Sequence, residues 1–354
     1  MGRSSDVRQI HVERFGFIER SNLPHKEEPA LTDKVRLTLT VAETPHTSKI
    51  RSGAIPIEGV DVETITVEPM IAAFRRMVRD VEFDICALAP ITYVIARAYG
   101  YPFKALPIFV QRGFHHGGLL VRPDAGIKVP KDLEGKKVGV RAYSVTSGAW
   151  TRAVLIDDYG LDTSKVTWVV DDEEHVTKLT LPPNVIRTPE GKSLNGMMAA
   201  GEIQAGVAGL AGIGRVGSPT SGWKPVETNY PDLFQNAAEL EADWFKRTGI
   251  YPVHDTIVVK DSVLAEHPWV AKSIFNAFSQ AKNEWLATLD SVTTLTPPEK
   301  KYAGLRKLVG PDPLPYGIDV NLPTIKALAD TAYKQGFTPR CLSVEELFVD
   351  PEKL

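Results

Sequence analysis

Short apolar runs that read as strands alternate along this chain with stretches of 10–15 residues that carry a helical period, a pattern that leaves few folds open. Residues 35–41 alternate apolar and polar side chains and predict a strand, which runs into the polar loop Glu43-Thr44-Pro45-His46-Thr47 and a short helix. Residues 60–67 predict a second strand, 69–81 a helix opened by Pro69, 83–89 a buried strand and 90–99 a helix closed at Gly100. A strand at 106–110, the loop Gln111-Arg112-Gly113-Phe114-His115-His116-Gly117-Gly118 and a strand at 119–121 complete this unit. A second, similar unit has strands at 138–140, 166–170 and 203–208, with helices at 146–159 and 195–201. The strand at 253–259 returns to the first unit, and helices follow at 267–289, 322–336 and 343–348. Such alternation implies an α/β protein with mostly parallel sheets. The expected organisation is an arm at 1–33, a first lobe built from 34–121 and 250–354, and a second lobe at 122–249, with a ligand cleft between the lobes.

Length and charge agree with this reading and exclude several others. The chain has 354 residues, enough for two lobes, with 41 Lys+Arg against 44 Asp+Glu. A net charge of −3 without a basic block argues against a nucleic-acid partner. The longest apolar stretch, residues 85–96, is too short for a membrane span and contains Pro90. The charged N-terminal residues lack the apolar segment of an export signal, so a cytoplasmic location is expected. Two cysteines, Cys86 and Cys341, make no multi-bridge framework and no CxxC. HExxH, GxSxG and P-loop motifs are absent, and the GxGxxG at residues 212–217 is followed by Ser218-Pro219 in place of a helix. The run Asp171-Asp172-Glu173-Glu174-His175 reads as a solvated loop, and no metal site is expected.

Longer phrases carry a family resemblance. "DLEGKKVGV" and "MMAAGEIQAGVAG" resemble the type II periplasmic-binding-protein fold in general. "GFHHGGLLV" (113–121), "GAWTRAVLIDDYGLD" (148–162), "GIYPVHDTIVVKDSVLAEHPWVAKSIFNAFSQAK" (249–282) and "PYGIDVNLPTIKAL" (315–328) are similar to the 4,5-dihydroxyphthalate decarboxylase family, from about Lys34 to the C-terminus. Two positions depart from its usual phrases: His46 stands where an Arg is usual, and Leu322 follows Asn321 where an Arg is usual. The resemblance implies a two-lobed type II periplasmic-binding-protein-like fold and a carboxy-lyase of hydroxylated aromatic carboxylates that needs no cofactor. Its partner is then a small aromatic carboxylate, and a homo-oligomer is compatible with the sequence.

Such a reaction needs a proton donor for the ring carbon that bears the carboxylate, a group that assists the ring hydroxyl, and cations or N–H groups that hold carboxylates. Histidine suits the first two tasks. His116, between Phe114 and two glycines, and His254, where the chain re-enters the first lobe, are the two candidates for proton transfer, and His115 is read as a solvent-facing neighbour. Their plainer readings are a hinge residue for His116 and a buried histidine paired with Asp255 for His254. The expected substrate-binding set is His46, Thr47, Arg112, Arg141, Ser144, Thr146, Ser147 and Tyr316. Thr47, Ser144, Thr146 and Ser147 precede or open helices and have N-capping as the plainer role; Tyr316 has core packing. The rival functions are a solute-binding receptor of an ABC or TRAP-like uptake system, and a binding protein of this fold without catalysis.

Overall fold

The computed structural model describes residues 34–217, 223–291 and 294–353; the arm expected at 1–33 lies outside them. Strand β1 (Val35–Thr40) keeps the alternation of its sequence, with Leu37 and Leu39 buried. After helix α1 (Ser48–Arg51), strand β2 (Val60–Thr64) pairs parallel with β1, Val35 facing Val60. Helix α2 (Met70–Asp80) returns the chain to β3 (Ile85–Leu88), a fully buried strand. An apolar run with no polar alternation is what a strand covered on both faces requires. Helix α3 (Pro90–Ala98) begins with proline at its first position and leads to β4 (Phe103–Arg112).

The chain then crosses over. Strand β5 (Leu119–Val121) was expected at the end of the first lobe, but its backbone bonds run antiparallel to β9 (Ala205–Val207), placing it in the second sheet. The crossing therefore occurs between Gly113, whose N–H donates to the Pro252 carbonyl, and Gly118, whose carbonyl accepts from the Ala208 N–H and whose φ of +86° favours glycine. Strands β6 (Lys137–Gly139), β7 (Thr167–Val170) and β8 (Val185–Arg187) complete a sheet ordered β5-β9-β6-β7-β8. Helix α4 (Thr146–Asp157) follows β6, and α5 (Leu194–Ala199) precedes β9. A two-stranded ribbon, β10 (Arg215–Val216) with β11 (Lys224–Pro225), and helix α6 (Ala237–Thr248) precede the return. Strand β12 (Val253–Lys260) inserts antiparallel between β3 and β4, giving the first sheet the order β2-β1-β3-β12-β4.

The helix expected at 267–289 is α8 (Val270–Thr288), and a short helix that was not expected, α7 (Asp261–Glu266), precedes it. Pro268 lies between them, and the residue before a proline is disfavoured in helical conformation. Helix α9 (Pro297–Val309) was not anticipated, although Thr296 and Glu299 form a capping box around prolines at its start. Helix α10 (Leu322–Lys334) packs on both α3 and α4, and α11 (Val344–Leu347) follows. Arg152 of α4 locks this junction: its Nε donates to Gln335 Oε1 at 2.8 Å while its guanidinium lies 4.0 Å from the Tyr143 ring centre. Among the described residues no helix is long and apolar enough to cross a membrane.

Candidate active site

The start of β12 is irregular, and the irregularity creates the site. Val253 pairs with Arg112 and Asp255 with the adjacent Gln111, so His254 has no opposite residue and the register shifts around it. A bulge bends the strand and re-aims a side chain. Consecutive residues consequently line different cavities. Asp255 lines one of about 370 Å³ at the C-terminal ends of β1, β3 and β4. His254 lines one of about 50 Å³ against the β6–α4 loop. The two side chains remain neighbours, with His254 Nδ1 3.6 Å from Asp255 Oδ1. Asp255 is buried and that oxygen accepts no hydrogen bond, a costly arrangement unless a ligand or an imidazolium completes it.

His46 borders the larger cavity. Its Nε2 lies 2.8 Å from the Val110 carbonyl, which can only accept, so Nε2 carries the hydrogen and Nδ1 presents a lone pair. That Nδ1 is buried and has no partner. Trp285 and Tyr302 fix the ring, their centres 5.0 and 6.2 Å from that of His46. Burial pushes the imidazole down to about 4, so it is neutral at pH 7.

The smaller cavity is lined by Arg141, Ser144, Thr146, Glu174 and His175. Arg141 Nη1 donates to Asp172 Oδ2 at 2.9 Å, and Arg75 Nη2 donates to Asp172 Oδ1 at 3.0 Å. The loop 171–175, expected to be solvated, is thus a hub. It also pairs Arg79 with Glu173 and Arg215 with Asp171, and it buries Asp172 and His175. Glu174 accepts hydrogen bonds from the Tyr143 and Ser144 backbone N–H groups and from the Ser144 hydroxyl. Thr146 Oγ1 accepts from the Ile91 N–H at 3.3 Å, which ties α4 to α3.

Other expected residues have different tasks. Arg112, expected to clamp a carboxylate, is buried with its guanidinium committed to the carbonyls of Tyr251 and Pro315, each at 3.0 Å, and to Asn321 Oδ1. Phe109 and Tyr251 sandwich it at 4.8 and 4.9 Å, and burial lowers its pKa to about 10. It ties β4 to the C-terminal segment. Thr47 borders the larger cavity, but its hydroxyl donates to Ala42 O at 2.7 Å and accepts from the Thr44 N–H. Ser147, half-buried, borders neither cavity. Tyr316 is buried beneath Lys282, whose ammonium lies 4.6 Å from the ring centre, and it also borders neither.

His116 and His254 are not brought into one cavity. His116 packs against Phe234 and Trp244 and borders a separate space with Asp157, Asp158 and Arg247. His115, expected to face solvent, instead stacks on His254 with ring centres 6.2 Å apart, and burial holds it well below the usual histidine value. Sequence reasoning missed Asp255, Glu174 and His175 as site residues. Their signal was an acid or a histidine next to or within a phrase already singled out.

Buried neutral histidines make stability pH-dependent. His46 and His116 both have folded pKa values of about 4 against 6.5 in an open chain. Below pH 6.5 the unfolded chain takes up protons that the native chain refuses, so stability is full above 6.5 and declines as pH falls toward 4. Each histidine is expected to cost roughly 2 kcal/mol between pH 7 and pH 5. Burial lowers His115 and His175 as well, so they add to the loss; urea unfolding at the two pH values checks this, and His46→Gln should remove roughly 2 kcal/mol of it.

Comparison with known proteins identifies relatives of two kinds. Residues 58–179 match the model of a family described as "ABC transporter, phosphonate, periplasmic substrate-binding protein". A 4,5-dihydroxyphthalate decarboxylase from Comamonas testosteroni is 31% identical over 327 residues, covering 89% of this chain and 96% of the relative. One from Pseudomonas putida is 34% identical over 227 residues, covering 62% and 84%. Among solved structures, the alkanesulfonate-binding protein SsuA of Xanthomonas axonopodis pv. citri, bound to MOPS, superposes with a TM-score of 0.51 at 12% identity, covering 90% of this chain and 99% of that one. The periplasmic aliphatic sulphonate binding protein SsuA of Escherichia coli gives 0.52 at 12%, covering 90% and 92%. These likenesses establish the two-lobed periplasmic-binding-protein fold.

Proposed function

Because the chain belongs to the 4,5-dihydroxyphthalate decarboxylase family, we propose that it removes CO2, without a cofactor, from an aromatic carboxylate that bears a ring hydroxyl. The observation that carries this reading is the bulge at His254, which sets an imidazole at one cavity and its neighbouring carboxylate, Asp255, at the other. The substrate carboxylates face the Arg141 and Ser144 side, and the hydroxylated edge of the ring occupies the larger, mostly apolar cavity.

Each residue then has a distinct task. His46 Nδ1 accepts a hydrogen bond from the ring hydroxyl and draws electron density toward the carbon that bears the carboxylate. His254 delivers a proton to that carbon. The carbon–carboxylate bond breaks, CO2 leaves, and the bonding pair restores the aromatic ring. Asp255 positions His254 and offsets its charge when protonated, a carboxylate–imidazole relation that fixes orientation. Among the described residues, no group of three or more His, Cys, Asp or Glu is placed to hold a metal ion.

The likeness to sulfonate-binding proteins favours a second reading, a receptor that holds an anion without changing it. A panel of 4,5-dihydroxyphthalate, 3,4-dihydroxybenzoate, 4-hydroxybenzoate and unsubstituted phthalate separates the two. The decarboxylase releases CO2 from at least one hydroxylated member, equally with and without EDTA, and none from phthalate. Thermal stabilisation by panel members with no CO2 from any of them would select the receptor.

A further inference from the structure

Glu174 sits where a ligand's carboxylate would be expected. Its oxygens take the Tyr143 N–H at 2.6 Å, the Ser144 N–H at 3.2 Å and the Ser144 hydroxyl, at the approach to α4, whose N-terminus favours an anion. Two further buried groups border the same cavity with an atom unsatisfied: His175 Nε2 and Arg141 Nε, each on a side chain about 5% exposed. Polar atoms buried without partners point to a guest that the cavity does not yet hold.

Charge and volume both argue for exchange over addition. Asp172 is shared by two guanidinium groups, Arg75 and Arg141, while Arg79 and Arg215 are each matched by their own carboxylate. Glu174 offsets the one surplus positive charge, so a second carboxylate beside it meets a neutral site and a like charge. The cavity, about 50 Å³, is far below the roughly 300–1,000 Å³ of sites that enclose a whole small-molecule ligand. The Glu174 side chain is free to leave without unfolding its loop. It is half-buried, whereas its neighbours are pinned by Arg75, Arg79 and Arg141, and its own carbonyl accepts from Arg79 Nη2.

We propose that Glu174 is a displaceable occupant of the carboxylate cradle formed by Tyr143 and Ser144, and that the carboxylate of an aromatic acid binds by expelling it. This rests on the reading that the chain takes an aromatic carboxylate, and it makes Glu174 a specificity-determining residue. The cradle opens only to a group that replaces both its hydrogen bonds and its charge. A neutral phenol does not qualify.

The test compares wild type with Glu174→Gln by calorimetry, using 3,4-dihydroxybenzoate and its uncharged counterpart catechol as probes. The variant should bind 3,4-dihydroxybenzoate about tenfold more tightly, the gain expected if the native cradle is vacant about a tenth of the time. Catechol affinity should stay the same. Unchanged or weaker benzoate binding in a folded variant overturns the proposal, as does failure of both proteins to bind it. If Glu174→Gln does not fold, a crystal structure of wild type with 3,4-dihydroxybenzoate decides. The ligand carboxylate on the Tyr143 and Ser144 N–H groups with Glu174 swung away supports exchange; Glu174 still in the cradle overturns it. Neither experiment needs turnover, so CO2 release with Glu174 unmoved sinks the exchange alone, and exchange without CO2 release sinks the decarboxylase reading alone.

Discussion

His254→Ala is expected to lower kcat by about 10²–10⁴-fold, the range for loss of a positioned general acid, with KM changed much less. The expectation follows from geometry. His254 occupies the extra position of a bulge, borders the cavity next to the α4 approach, and has Asp255 Oδ1 3.6 Å from its Nδ1. Asp255→Asn should give a smaller loss, because the imidazole stays in place without its carboxylate. His116→Phe is the informative contrast. That ring packs between Phe234 and Trp244 and borders another cavity, so its replacement by an apolar ring should leave kcat within about tenfold of wild type. A full loss in His116→Phe with activity kept in His254→Ala would transfer the proton donor to His116.

Arg112→Met is expected to destabilise the protein by about 3–5 kcal/mol while leaving the KM of the surviving folded fraction near that of wild type. The substitution preserves length but strips hydrogen bonds from the Tyr251 and Pro315 carbonyls and from Asn321 Oδ1, all in a buried setting. The Tyr251 and Pro315 carbonyls keep bonds from Thr324 Oγ1 and Asn321 Nδ2, but Asn321 Oδ1 is left buried without its donor at a cost of about 1–3 kcal/mol, and the stacking on Phe109 and Tyr251 goes as well. Urea unfolding gives the stability and steady-state kinetics the KM. Unaltered stability with a strongly raised KM would return Arg112 to the role of carboxylate clamp.

The two fates of these residues mark what a single sequence conveys. Strands β1, β3, β4 and β7 were readable because local pattern and burial coincide. The position of β5 was not, because sheet membership depends on a crossover before Leu119 and on a partner strand far along the chain, Leu120 facing Gly206 86 residues later.

 Helix α9 shows the opposite case, its start written locally in the capping box Thr296-Pro-Pro-Glu299. In the site, the histidines and Arg141 stood out as residue types at strand ends. What periodicity could not show is where each donor is spent: Arg112 on carbonyls of distant segments, Ser144 on Glu174, His46 Nε2 on Val110. Those partners lie from 30 to 203 positions away in the chain, beyond any local pattern. The run 171–175 is the same case: in sequence its acids look solvated, and only the fold makes Arg75, Arg79, Arg141 and Arg215 converge on them.

The measurement that decides the account is a reaction of the whole chain with 4,5-dihydroxyphthalate in D2O, followed by NMR together with CO2 release. Proton delivery to the carbon that loses its carboxylate predicts one CO2 per substrate consumed and one deuterium at that carbon in the 3,4-dihydroxybenzoate formed. Saturable binding of 4,5-dihydroxyphthalate and the hydroxybenzoates, with no CO2 and no deuterium incorporated, would contradict it and leave a receptor built on an enzyme family's fold.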